Sequence, residues 1–242
     1  MEDRKHALYS PSGSHKWLHC PLAVDEGLPR FAPPWGTSAA DKGTKLHDVL
    51  EKALELRDFE TARQHIIANT NDDSVTLIRI AELYFRYKGM DGCEAISEKQ
   101  LQICDDCYGY VDIGFVIPNL GVLGIIDYKS GRHPVEVIDN PQLKLYAYGL
   151  YNSLSEKTRE RIQHILLYIG QAREIKKFLI SAESLKAWMR AVVLPAIARH
   201  KNPGKRYPNV GEWCTWCLVD CGQNPNSYGN NSVTFSADST EI

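Results

Sequence analysis

Two aspartates and a lysine draw attention by where they fall. Asp112 lies inside an apolar run, Val-Asp-Ile-Gly-Phe, and Asp127 closes another, Gly-Ile-Ile-Asp-Tyr-Lys. A carboxylate within or ending an apolar strand is costly to bury unless it is paired or holds a metal. Lys129 follows Asp127 by two residues, so on a strand the two side chains point the same way. If the two runs are neighbours in a hairpin, both carboxylates converge at one edge beside a built-in cation. Such oxygen ligands suit Mg²⁺ or Mn²⁺. An ion of that kind activates water and offsets charge on a phosphate. Lys129 would orient the attacking water or neutralise the pentavalent phosphorus. Taken alone, Asp-Tyr-Lys before Ser130-Gly131 is a common tripeptide and reads equally as a turn with a surface ion pair.

The surrounding residues extend the set. Gln142 and Tyr146 lie four apart, on one face of a helix opened by Asn140-Pro141. They would hold a phosphate or a base near the metal, or else pack that face on the sheet. His47 sits beside an apolar helical stripe, and an imidazole suits Mn²⁺. By itself it reads as an ordinary surface or core histidine. Glu98 offers an extra acidic contact, but its pattern favours a solvated side chain.

These residues need elements to position them. Residues 37–56 carry Leu46, Val49, Leu50, Ala53 and Leu54 on one helical stripe, and a further helix spans 75–87. A polar stretch at 69–73 separates them. The period then changes to that of strands at 94–103, 107–117 and 121–128, the last nearly all apolar and hence central. Residues 140–152 are helical. Strands follow at 162–169 and 174–180, then a long helix at 181–200. Residues 27–36 read as loop, and the polar residues from 223 onward as a mobile tail. The order predicts an α/β or α+β fold with a central mixed sheet flanked by helices.

Composition narrows the classes. The chain has 242 residues, 43% of them hydrophobic, with a formal net charge of −2. It is long enough for one substantial core, lacks a disordered composition, and shows no repeat period. The best apolar run, 191–198, is too short to span a membrane. The first ten residues lack an apolar signal segment, so the cytosol is the expected compartment. No global basic field announces nucleic acid. Local basic clusters occur at 198–207, with Lys201, Lys205 and Arg206, and at the pairs Lys176–Lys177 and Arg159–Arg161. Each suits backbone phosphates, and each also reads as a solvated surface. No Gly-x4-Gly-Lys-Ser/Thr loop is present, so the chain carries no helicase motor.

The ordered combination of His47, Gly-Tyr-Val-Asp112, Ile-Ile-Asp127-Tyr-Lys129-Ser-Gly and Asn-Pro-Gln142-Leu-Lys-Leu-Tyr146 resembles the RecB-like branch of the PD-(D/E)xK nuclease superfamily, and phage-associated exonucleases in particular. The similarity runs over residues 10–222. It implies the restriction-endonuclease-like core of that superfamily. A helical part would span 10–90, a catalytic core 93–200 and a cysteine segment 207–222. His47, Asp112, Asp127 and the backbone carbonyl of Tyr128 would ligate Mg²⁺ or Mn²⁺. Lys129 would be the catalytic lysine, and Gln142 and Tyr146 would contact DNA and support the site. The residue before Asp112 is Val111 rather than proline, as is usual in RecB-like members. The activity implied is a metal-dependent DNA exonuclease in phage recombination or DNA processing. Its partners would be DNA with free ends and a recombinase, single-strand-binding protein or helicase. Other readings are an endonuclease on the same site, a non-catalytic nucleic-acid-binding protein that kept the fold, and a zinc protein whose Asp-x-Lys is accidental.

The seven cysteines bear on the same resemblance. An odd count in a reducing compartment argues against a disulfide framework. Cys214, Cys217 and Cys221 form a C-x2-C-x3-C group, and Cys20 in Trp-Leu-His-Cys-Pro stands far upstream. This one-plus-three layout is similar to AddB-type and CRISPR-associated RecB-like nucleases, which implies a [4Fe–4S] cluster on these four residues. Thiolates alone serve Zn²⁺ equally well. Cys104 and Cys107 flank Asp105-Asp106, which reads as a hairpin turn. Cys93 reads as a buried or idle thiol.

Overall fold

The computed structural model describes residues 7–30, 38–71, 74–131 and 133–224, with the side chains of 38–41 and 216 left aside. A short helix, α1 (Ser14–Trp17), precedes three longer ones: α2 (Ser38–Leu54), α3 (Phe59–Asn69) and α4 (Ser74–Lys88). Asp58 caps α3 by accepting from the Thr61 N–H at 2.9 Å, which fills one of the orphan donors of a helix start. Strands β1 (Glu94–Cys104), β2 (Cys107–Ile117) and β3 (Val122–Lys129) follow. Helices α5 (Pro141–Ser153) and α6 (Glu156–Arg159) lead to β4 (His164–Gln171) and β5 (Glu174–Ser181). The chain then forms α7 (Ala182–Trp188), a π turn at Met189–Val193, and α8 (Leu194–His200).

The five strands form one sheet in the order β1-β2-β3-β4-β5. β3 is central and pairs antiparallel with β2 but parallel with β4. The sheet is therefore mixed, as expected, and α5 makes the crossover that a parallel pair requires. Both faces of β3 and β4 are covered, which explains their unbroken apolar runs. On one face Ile126, Tyr128 and Tyr168 meet α2, α3 and α4 through Leu50, Ile66, Leu77 and Ile80. On the other, Leu123, Ile125, Ile165 and Leu167 meet α5 and α7 through Leu143, Ala147, Leu150 and Leu185. Gly124 is required here, because a β-carbon on it would lie 2.0 Å from the Phe115 ring.

The expected single helix over 181–200 is interrupted. Pro195 has no N–H for the carbonyl four residues back, and the π turn immediately ahead absorbs the mismatch. The residues after 223 also begin otherwise than expected. Asn224 is buried and its Nδ2 donates to the carbonyls of Cys217 at 3.0 Å and Val219 at 2.9 Å. The rest of the polar tail, and most of the 27–36 loop, lie outside the described residues.

The N- and C-terminal parts pack together around Tyr9, Trp17, Leu145, Met189 and Ile197. Arg199 Nη2 donates to the Leu18 carbonyl at 3.0 Å, Asn209 Nδ2 to the His19 carbonyl at 2.9 Å, and the Asp220 N–H to the Pro29 carbonyl at 2.8 Å. His200 lies in this seam, 1% exposed, between the Tyr9 and Trp17 rings, and neither ring nitrogen makes a well-formed hydrogen bond. Burial depresses its pKa to about 4 from the ordinary 6.5.

The unfolded chain binds this proton near pH 6.5 and the folded chain only near 4, so the contribution is whole above about 6.5, declines between about 6.5 and 4, and is flat below. Urea melts across pH 4–8 should show stability falling with pH in that window, and His200→Phe should flatten that part of the slope.

Candidate active site

The site is built on the β2–β3 hairpin and its two covering helices. Asp127, two residues from the end of the central strand, is 3% exposed. Lys129 shares its face, and its Nζ lies 2.9 Å from Asp127 Oδ2. Gln142 comes from the first turn of α5, which Asn140 caps by accepting from the Leu143 N–H at 3.1 Å, with Pro141 at the first position. Its amide reads both partners at once. Nε2 donates to Asp127 Oδ1 at 3.0 Å, and Oε1 accepts from Lys129 Nζ at 2.8 Å. A carboxylate in place of Gln142 would oppose Asp127. The Lys129 contact to Oδ2 is an ion pair off the line of a hydrogen bond, so this buried oxygen keeps unused accepting capacity.

Asp112 sits on the neighbouring strand and accepts from the Tyr128 backbone N–H at 2.7 Å through Oδ2. Its Oδ1 lies 3.4 Å from Nδ1 of His47, which α2 brings over the sheet. The Tyr128 ring packs edge-on to His47 at 5.3 Å. Glu98 completes a group. Atoms of His47, Glu98 and Asp112 able to ligate a metal all lie within 4.8 Å of one another. Glu98 has φ +44°, and the β1–β2 register passes over it between Ser97 and Lys99. The register is the same on both sides of it, so Glu98 stands opposite Asp112 across the two strands, and its left-handed backbone is a local irregularity beside the acidic group. This corrects the reading of Glu98 as a solvated side chain.

The electrostatics follow from burial and proximity. Burial raises the Asp127 carboxyl and the Asp112 charge adds to this, against the opposing pull of Lys129 and His47. Burial also works against the Lys129 ammonium, but Asp127 more than offsets it and its pKa stands above the ordinary value. For His47 burial is likewise outweighed, here by Asp112, Asp127 and Glu98, and the imidazole is pushed up to about 9. The cluster attracts positive charge from several directions. Its donor set of an imidazole, carboxylates and an under-used buried oxygen fits a hard or borderline divalent cation.

Tyr146 is 5% exposed and packs against Gly109, with Gln142 as the partner of its hydroxyl. Burial raises its pKa strongly. It therefore supports Gln142 from inside and does not present its ring to solvent for a DNA contact. A residue that sequence reasoning passed over does comparable work. Gln171, buried at the end of β4, donates to the Gly131 and His133 carbonyls and accepts from the Val135 N–H, each at 2.8 Å. It fixes the segment between Lys129 and α5. A polar residue closing an apolar strand was its only sequence signal.

The basic residues of 198–207 lie away from this cluster, two of them in ion pairs. Lys201 pairs with Asp106 of the β1–β2 turn at 3.1 Å on the surface, and Arg206 with Asp25 at 3.2 Å across the terminal seam. Lys205 is exposed in a short turn. The cysteines separate into two groups. Cys20, Cys214, Cys217 and Cys221 line one small cavity, with Leu22, Val210, Trp213 and Val219 around them. Four thiols in a mostly apolar shell have the donor chemistry of a tetrathiolate centre, although no three of these sulfurs lie within 4.8 Å of one another. Cys104 and Cys107 face each other across the β1–β2 turn, as expected of a hairpin. Cys93 is half-buried.

The chain belongs to the family described as "Protein of unknown function (DUF2800)", which matches residues 6–225. No helix among the described residues is long and apolar enough to cross a membrane.

The geometry makes His47, Glu98 and Asp112 a candidate ligand set. Titration of the chain with Mn²⁺ by calorimetry should show one site that Asp112→Asn abolishes and Glu98→Gln weakens by roughly tenfold.

Proposed function

We propose that this protein is a divalent-metal-dependent DNA exonuclease of the RecB-like PD-(D/E)xK type. The observation that carries the reading is the buried Asp127, clasped by Lys129 and Gln142 and electrostatically joined to Asp112 and His47. An apolar sheet that keeps a carboxylate and an ammonium together under a second acidic group has little structural reason to do so. Metal-assisted phosphodiester hydrolysis can use that combination.

His47, Asp112, Asp127 and the Tyr128 carbonyl would hold Mg²⁺ or Mn²⁺, with Glu98 beside them. When bound, the ion would supply an activated water and offset phosphate charge. The chain's own part is positioning and charge. Asp127 keeps Lys129 protonated, and Gln142 holds the ammonium against rotation. The ammonium would then stabilise charge developing on the phosphoryl oxygens as water attacks in line and the P–O bond to the leaving oxygen breaks. Tyr146 and Gln171 hold Gln142 and its helix in register. The four-cysteine site would carry a [4Fe–4S] cluster, or Zn²⁺ in its place, and join the two ends of the domain. The setting would be phage recombination or DNA processing in the cytosol of a host cell. The partners would be DNA ends and a recombinase, single-strand-binding protein or helicase.

Two experiments test this. Linear and covalently closed circular DNA are incubated with wild type and Asp127→Ala in Mg²⁺, Mn²⁺ and EDTA. Shortening of linear DNA alone, with metal and only by the wild type, is expected. Cutting of circles would make it an endonuclease, and no cutting by metal-loaded protein would leave a binding protein. Iron and acid-labile sulfide are measured in wild type and Cys20→Ser. The serine variant should lose most of its iron, whereas unchanged iron would remove Cys20 from the site.

A further inference from the structure

Lys16 occupies an unusual position. It lines the cavity formed by Cys20, Cys214, Cys217 and Cys221, and among the described residues it is the one charged side chain that does so. It also borders a second cavity of about 270 Å³, lined by Ser10, Trp17, Glu26 and Arg30 among others. Its side chain is half-buried. Among the described residues no carboxylate lies within ion-pair distance of it, and Glu26 does not reach it. Arg30 adds a like charge from the second cavity, while the Cys217 sulfur is the neighbour that favours its ammonium. A partly desolvated cation with no anion is costly. Something that this arrangement serves must offset the cost.

The cysteine set supplies it. Zn²⁺ or a [4Fe–4S]²⁺ core held by four thiolates leaves a net charge of about −2 in either case. The remaining lining is neutral, and the amide of Asn224 is spent on backbone carbonyls. We propose that Lys16 is the counter-charge of the tetrathiolate centre, a positioning residue that retains the metal and tunes it without ligating it. This rests on the reading of the four cysteines as a metal site, and not on nuclease activity.

The test uses the full chain, purified without oxygen, as wild type, Lys16→Arg and Lys16→Met. Iron, zinc and sulfide are measured first. Release of metal is then followed with bathophenanthroline for iron and 4-(2-pyridylazo)resorcinol for zinc. Wild type and Lys16→Arg should release at one rate, and Lys16→Met roughly tenfold faster, in the range of second-shell effects on metal affinity. If the centre is iron–sulfur, Lys16→Met should also shift its one-electron reduction by dithionite tenfold toward the oxidised form, about 59 mV. Thermal melts separate this from ordinary packing. Loaded Lys16→Met should melt below loaded wild type. After stripping the metal the order should vanish or reverse, because the cation then lacks its partner. If Lys16→Met is not recovered folded, Lys16→Gln takes its place. Equal release and equal melting of the loaded proteins would overturn the proposal. So would a deficit that persists in the stripped chains, or loss of DNA binding with metal retention unchanged, which would assign Lys16 to the second cavity. A wild-type chain that carries neither iron nor zinc would overturn the metal reading of the cysteines itself, before any variant is compared.

Discussion

A carboxylate buried in the central strand of an apolar sheet is the constraint on which the rest of this structure depends. Asp127 is almost wholly removed from solvent, and an uncompensated charge there would cost more than single-domain stability can absorb. Lys129 and Gln142 compensate it directly. Their placement dictates much else. Lys129 must share the strand face of Asp127, which fixes the pleat of β3. Gln142 must arrive in the first turn of α5, so the helix start is capped by Asn140 and pre-set by Pro141. The link that carries it is pinned by three hydrogen bonds to the buried Gln171 amide. What looks like local helix capping and loop anchoring is one device for holding a charge pair inside a sheet.

The second half of the cluster is supplied from the opposite layer. α2 places His47 over the hairpin, and Glu98, opposite Asp112 in the β1–β2 register, brings another carboxylate to it. Strain at Glu98 and the crowding of acidic groups are both unfavourable in isolation. A bound cation would offset the acidic crowding, which is the physical link between the fold and the proposed chemistry.

The terminal seam is a separate construction. Tyr9, Trp17 and His200 pack together, and hydrogen bonds to backbone carbonyls from the Arg199 and Asn209 side chains and the Asp220 N–H tie the first thirty residues to the last described ones. The four cysteines lie beside that seam in one cavity with Lys16. Of the basic residues that the sequence suggests for DNA, Arg206 pairs across the seam with Asp25, and Lys201 pairs with Asp106 of the β1–β2 turn. Basic residues near a chain end read alike whether they face a ligand or an internal carboxylate, because composition carries no direction.

Local pattern was enough for the strands and most of the helices, though not for α3 or the break before Pro195, and for which residues gather at the central strand. The strands at 94–104, 107–117 and 122–129 were legible because a change of hydrophobic period needs no tertiary information. Asp112, Asp127, Lys129 and Gln142 were legible because charged groups in or beside apolar runs demand compensation, and strand alternation with helix spacing says which can meet. The sequence by itself therefore determined a mixed sheet with an acidic, lysine-bearing centre. Only the tertiary structure decided that Glu98 joins His47, since which β1 residue stands opposite Asp112, and which helix covers that point, is set by pairing and packing between separate segments. It also decided that Tyr146 supports from within, that Gln171 brackets the loop, and that Cys20 shares a cavity with residues almost two hundred positions away. Each of these depends on which distant segments pack together, and packing energy is summed over the whole core rather than written in any one stretch of it.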